Sequence, residues 1–486
     1  MKWNNKIKGI LSLIAGILIQ FLIGNLFSFP NFIPYYKSYL YYKNDNKEKI
    51  SELQLYFIAP TGIFVHNTLP SLTGLLDNLL GIRILTIIGV ISLLLSQLIM
   101  YYYIDYYLLI ISYILFGFCG SLTYFQTLKN CWKCYPNKKG IISGIIFSSF
   151  GLSSFAFTSI GDMIINPESK KKGENGYYSE KISKKFLDYI KFYIICIIIM
   201  GTISSTLCFP YKEDIIIKEE EEIDEEEAGL NLTKESKIIK DENNYSVELN
   251  KENEEREKDL KEKKYSKLKK DLLSTEFLKC LGIAGFTLIF GFLLSNTYRN
   301  FGNEKDLDDL GMQFLSKAFT LLNTFSRLIW GIVVDKCGFK IPYIIICVNQ
   351  LICGGLIYLA SNKFYTYFIV VCFGVLSYAG HIILFPNLIN HKFGVENSVI
   401  LLGICGIFGG ISCILGPILT FFIIKDIDDY LIIYLIGSTP TIISLFITFF
   451  IKTDNGNEKY IKEINEQIKN DNEKIVNRTD DIKFEN

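Results

Sequence analysis

Long apolar blocks set the terms for anything this chain can fold into. Half of its 486 residues are apolar. They collect in runs such as Gly9–Phe29, Ile84–Met100, Phe192–Leu207, Tyr343–Leu359 and Leu431–Ile451. A soluble core intersperses such residues with charge; these blocks do not. A helix rises about 1.5 Å per residue, and no backbone polar group can go unpaired in hydrocarbon, so about 20 apolar residues make one crossing. The blocks predict helices near 8–29, 54–75, 84–103, 107–128, 139–162 and 187–209, then 277–298, 312–334, 341–361, 364–390, 398–424 and 428–451. The expected class is an all-α integral membrane protein with twelve transmembrane helices in two pseudo-symmetric six-helix bundles.

Charge marks the boundaries between those bundles. Fifty basic and fifty acidic residues cancel overall, but they are partitioned by region. The expected organisation is a bundle over 1–210, a charged and largely disordered cytosolic linker over 211–276, a second bundle over 277–452 and a polar cytosolic tail over 453–486. The linker opens with acidic runs (Glu219–Glu222 and Glu225–Glu227) and turns Lys-rich through Lys258–Lys270, which is too polar to bury a core of its own. Its sequon, Asn231-Leu232-Thr233, falls on the cytosolic side in this count, where it stays unused. The first block has a basic flank (Lys2, Lys6, Lys8) but lacks a small-residue cleavage site, so it reads as an uncleaved first helix.

An excess of lysine in cytosolic loops orients such proteins. Lys129, Lys133, Lys138 and Lys139 are predicted between helices 4 and 5, and Lys336 and Lys340 between helices 8 and 9. The opposite loops are acidic, with Glu304, Asp306, Asp308 and Asp309, then Asp426, Asp428 and Asp429. Both termini are therefore expected in the cytosol, in a plasma or organelle membrane. The basic segment Lys170–Lys185 falls on the outer side and disagrees.

Enzymatic chemistry finds little support. The cysteines sit mostly singly in apolar helices, where a thiol packs as a small hydrophobe. Cys131-Trp132-Lys133-Cys134 has redox or zinc spacing but no second pair, and is read as a loop coincidence. No nucleophile–base pairing, H-E-x-x-H or phosphate loop is present. No enzyme activity, cofactor, metal or nucleic-acid partner is expected; the partners are the bilayer and a small solute, and the chain is expected to be monomeric.

Two short loops carry more information. After helix 8 the chain reads GIVVDKCGFK, with Gly331, Asp335, Lys336, Gly338 and Lys340; after helix 2 it reads GLLDNLLGIR, with Gly74, Asp77, Gly81 and Arg83. Glycines allow a tight turn and close helix approach, while a carboxylate here can pair across the bundle or cap a helix N-terminus. Both loops resemble the signature G-x-x-x-D-K/R-x-G-x-K/R of the major facilitator superfamily, whose twelve-helix transporters use such loops to gate alternating access. The segment Cys134–Ser154, through Pro136, Lys138, Lys139, Gly140 and Gly144, resembles the helix 4–5 connection of the oxalate–formate antiporter and monocarboxylate porter branch. Phe385, Pro386, Phe393, Gly394 and Asn397 are similar to the same branch in the second half.

Ionisable residues inside spans cost a few kcal/mol each at the bilayer centre and so mark function. Arg327 lies two turns inward of Asp335, and the branch resemblance implies a substrate-binding guanidinium there, suited to a carboxylate bidentately. The bland alternative is that Arg327 snorkels to the loop and pairs with Asp335. The resemblance also implies roles for Tyr124, twelve residues before Pro136, and for Tyr378, eight before Pro386. Gln20, His66, Asn67 and His381 are further candidate liners, each of a type more often satisfied by interhelical hydrogen bonds. His66 or His381 is a candidate carrier of a coupled proton. The sequence departs from the branch in two respects. Helix 11 offers Gly406, Gly409 and Gly410 where oxalate-type antiporters place a lysine, and Asn323 stands where proton-coupled porters place an aspartate. The resemblance thus implies a secondary transporter of small organic monoanions such as pyruvate or lactate, coupled to protons or to a counter-anion. An amino-acid carrier and a non-transporting membrane sensor are the competing readings.

Overall fold

A computed structural model describes residues 5–43, 54–55, 57–103, 106–173, 175–210 and 262–452. Residues 211–261 of the linker, with the sequon, and the tail from 453 lie outside the described residues. The chain divides into two units, Met1–Pro210 with Lys279–Asn486, and Tyr211–Leu278. The described part of the second unit is a helix over 262–272 and the first residues of the helix that follows.

The first unit is built from helical rods. α1 is a broken rod over 5–43, with Asn5–Ile23, a 3-10 turn at Gly24–Ser28 and Phe29–Lys43. α2 covers 58–80 and α3 covers 82–102, separated at Gly81, whose φ of 74° falls in the left-handed region that favours glycine. Then come α4 (Tyr106–Cys134), α5 (Lys139–Ile165) and α6 (Phe186–Leu207). The second half repeats the pattern with α7 (Thr275–Glu304), α8 (Asp309–Cys337), α9 (Lys340–Ala360), α10 (Phe364–Phe393), α11 (Val395–Ile423) and α12 (Asp429–Phe449). Gly338, with φ 69°, turns α8 into α9 as Gly81 turns α2 into α3. Among the described residues ten rods are long and apolar enough to cross a membrane. The other two are α2, broken between Thr68 and Pro70, and α8, which carries Lys317, Arg327, Asp335 and Lys336.

Among the helices that outrun their apolar blocks, α1 and α4 show why. α1 continues beyond residue 29 because the connection between α5 and α6 clasps its end. Tyr178 N donates to Ser38 Oγ at 3.0 Å, and Tyr177 stacks on Tyr41 at 4.1 Å. α4 continues to Cys134, which corrects the expected loop: Lys129, Lys133 and the Cys131–Cys134 pair lie on its last turns. The lysines do not end the helix because carboxylates meet them there. Trp132 Nε1 donates to Lys139 O and Ser143 Oγ at 3.1 and 3.0 Å, fixing the short turn into α5.

The halves meet along two pairs of helices stripped of side chains. A Cβ on Gly140 would collide with Gly331 O, and one on Gly144 would press on Arg327 O, so α5 and α8 touch backbone to backbone. Likewise, Cβ atoms on Gly74, Gly403 and Gly406 would strike Ile400, Ser71 and Asn67, so α2 and α11 do the same.

Candidate functional site

The signature loops work as fasteners at one end of the bundle. Asp335 accepts hydrogen bonds from Gly140 N at 2.7 Å and Ile141 N at 2.8 Å, capping α5 from across the interface. An anion at a helix N-terminus satisfies orphan donors and meets the positive end of the helix dipole. Asp77 is engaged differently: its partner is Lys129 Nζ at 2.9 Å, and Lys129 also reaches Glu396 at 3.4 Å in the first turn of α11. Lys133 pairs with Glu396 as well. Lys139 Nζ donates to Asn390 Oδ1 at 3.4 Å, tying α5 to α10. The cations after each turn are symmetric. Arg83 donates to Cys208 O and Thr206 O at the end of α6, at 3.3 and 3.1 Å, and Lys340 donates to Phe449 O at the end of α12, at 2.9 Å. Lys336 is exposed. This end of the bundle is closed.

Arg327 lies deeper, eight residues or about 12 Å from Asp335. It is 3 % exposed, and it does not pair with Asp335, whose oxygens are taken by α5. One turn of α5 cradles it instead. Arg327 Nη1 donates to Phe147 O at 2.5 Å, its Cζ lies 5.9 Å from the Phe150 ring, and a Cβ on Gly151 would stand 3.5 Å from Cζ. Nη2 reaches Asn323 Oδ1 at 3.4 Å, and Nε is buried with no partner. Among the described residues no carboxylate pairs with it. An interior charge left in this state costs several kcal/mol, which an arriving anion would offset.

The structure gathers some of the candidate residues and separates others. Tyr124 on α4 and Tyr378 on α10 lie within electrostatic reach of the guanidinium. Tyr124 stacks on Phe147 at 4.7 Å and meets His66 edge-on at 4.8 Å. His66 in turn stacks on Phe150 at 5.9 Å, and its Nδ1 has no partner. Gln20 reaches the cluster through the backbone, donating to Tyr124 O at 3.0 Å, with Oε1 unpartnered. Asn67 donates to Ile63 O at 2.8 Å and packs toward Gly406 and Gly409 of α11. His381 stands elsewhere. Its Nδ1 pairs with Tyr343 Oη at 3.1 Å and its Nε2 with Gln350 Oε1 at 2.8 Å, within a second-half network that includes Thr287 and Thr441. Sequence reasoning did not single out Phe147 or Phe150. Phe147 acts through its carbonyl, which leaves no mark in sequence, and Phe150 stands about 120° around α5 from Gly144, off the glycine face that the spacing marks.

The Major Facilitator Superfamily family model matches residues 192–417 and 275–474, which together span more than half of the chain. The chain belongs to the major facilitator superfamily. It is thus a multi-pass membrane transporter. A solved structure of the proton:xylose symporter XylE of this superfamily, bound to 6-bromo-6-deoxy-D-glucose, superposes with a TM-score of 0.60. The match covers 92 % of this chain and 95 % of that one at 11 % identity, so it speaks for the fold alone. No curated protein matches the chain.

Proposed function

We propose that the protein carries small organic monoanions, pyruvate or lactate in type, with Arg327 holding the carboxylate. The observation that supports this reading is the buried guanidinium with Nε unpartnered and no described carboxylate beside it. A guanidinium forks onto a carboxylate through two parallel hydrogen bonds, and in a dry site each is about twice as strong as a neutral one. One cation suits one anionic group. The rings of Phe147, Phe150 and Tyr124 offer an apolar body beside it and no acid to take an ammonium, which disfavours a zwitterion. The motif end is proposed to face the cytosol, as its lysines suggest. Rocking of the halves about the α2–α11 and α5–α8 seams would then pass the site from one side to the other.

The test is uptake into proteoliposomes of labelled pyruvate, lactate, alanine and xylose, with and without a pH gradient. The proposal expects the two carboxylates to enter and alanine and xylose to stay out. Uptake of alanine or xylose in their place would overturn it.

A further inference from the structure

We infer that Phe150 is the gauge that sets how large a carboxylate the Arg327 site admits, so that short aliphatic monocarboxylates fit and aryl ones do not. The inference rests on the proposed anchoring of substrate by Arg327.

The ring of Phe150 stands where four helices converge on the guanidinium. It meets Phe27 of α1 edge-on at 5.5 Å, Tyr124 of α4 edge-on at 5.3 Å and the His66 ring of α2 at 5.9 Å. The Arg327 Cζ of α8 lies 5.9 Å from its centroid. The other sides of the guanidinium are taken by Phe147 O, Asn323 Oδ1 and the bare backbone at Gly151. The body of a carboxylate bound to Arg327 is therefore turned toward the rings, and Phe150 neighbours both the cation and the His66 ring, whose Nδ1 has no partner.

A wall gauges size only if it cannot retreat, and this one is fixed from both sides. Ser149 Oγ donates to Ile17 O of α1 at 3.0 Å, and Ser148 Oγ donates to Thr324 O of α8 at 2.9 Å. A Cβ on Gly24 would collide with Phe150 O, so α1 lies directly against this backbone. On the other side, a Cβ on Gly151 would come within 2.8 Å of Thr324 Oγ1. The backbone that carries Phe150 is wedged between α1 and α8. Room for a larger substrate must come from the ring itself, and close-packed interiors do not yield such room without cost.

The experiment is competition for lactate uptake by propionate and phenylacetate in wild type, Phe150→Leu and Phe150→Ala proteoliposomes. Its readout is the ratio of the two inhibition constants, which a general loss of stability or activity does not move. In wild type propionate should compete at least about tenfold better than phenylacetate, a discrimination of the size hydrophobic pockets achieve for a few carbons. Phe150→Ala should shift the ratio toward phenylacetate by about tenfold, because the missing ring leaves a hole of matching shape. Phe150→Leu should fall between, and it carries the test if the alanine variant is absent from the membrane. A ratio that stays at the wild-type value in both variants, with lactate still transported, overturns the gauge and leaves the anchor standing. Failure of wild type to transport any carboxylate overturns the anchor and the gauge together.

Discussion

Removing the Asp335 carboxylate should open the closed end by a calculable amount. Asp335 holds two backbone N–H groups of α5, Gly140 N at 2.7 Å and Ile141 N at 2.8 Å, from the far side of the interface. Hydrogen bonds to a charged group contribute about 1.5–3 kcal/mol each when shielded, and less where water competes. Ile141 N lies at the exposed edge, so the pair together contributes about 2 kcal/mol, or roughly a 30-fold change in an equilibrium at 1.4 kcal/mol per factor of ten. Ser143 is the natural reporter. It is fully buried one turn into α5, between Trp132 and Asn387 of α10, and becomes reachable only when this end parts. In a Ser143→Cys protein the rate of modification by an impermeant maleimide, followed by mass spectrometry on the peptide carrying residue 143, reports the open population. Adding Asp335→Ala should raise that rate by roughly 30-fold, while Lys336→Ala, at an exposed side chain, should leave it nearly unchanged. An unaltered rate in the Asp335→Ala protein would refute the reasoning.

Other expectations follow from the same contacts. Lys129→Met leaves Asp77 without its 2.9 Å partner and cuts the link to α11; it should destabilise the detergent-solubilised protein by about 3 kcal/mol in thermal unfolding. Adding Asp77→Asn should recover part of that loss, since the orphaned charge is then gone; a double variant no more stable than the single one would contradict the pairing. His381→Ala strips partners from Tyr343 and Gln350 and should cost about 1–3 kcal/mol in the same assay, with the KM for carboxylate unchanged. A KM raised by about tenfold would instead place His381 at the substrate.

The twelve-rod architecture was legible because the bilayer imposes one length on every span, and α3, α6, α9 and α12 ended within a few residues of their apolar blocks. α1 and α4 were read short for a shared reason. Their last turns are polar in sequence and are stabilised by partners remote in the chain: Tyr177 and Tyr178 for α1, Asp77 and Glu396 for α4. The loop glycines were legible as turns, but either carboxylate could have paired or capped; the position of the α5 N-terminus makes Asp335 a cap and that of Lys129 makes Asp77 a pair. Arg327 was visible as a cation in a span. Its cradle was not, because a carbonyl, a bare glycine and one ring of an aromatic cluster have no sequence pattern of their own. The basic segment Lys170–Lys185 remains at the end opposite the signature loops, where it clasps α1, which gives its tyrosines a role and leaves its lysines unexplained.

The role of Arg327 is tested most directly by lactate counterflow in proteoliposomes containing equal amounts of wild type, Arg327→Lys and Arg327→Gln. A lysine keeps the charge but loses the planar fork, and a glutamine loses both. The account predicts transport in the order wild type, then lysine, then glutamine, with the glutamine variant reduced by about 30-fold or more, the equivalent of one lost charge-assisted pair. Lactate flux through the glutamine variant equal to that of wild type would contradict it.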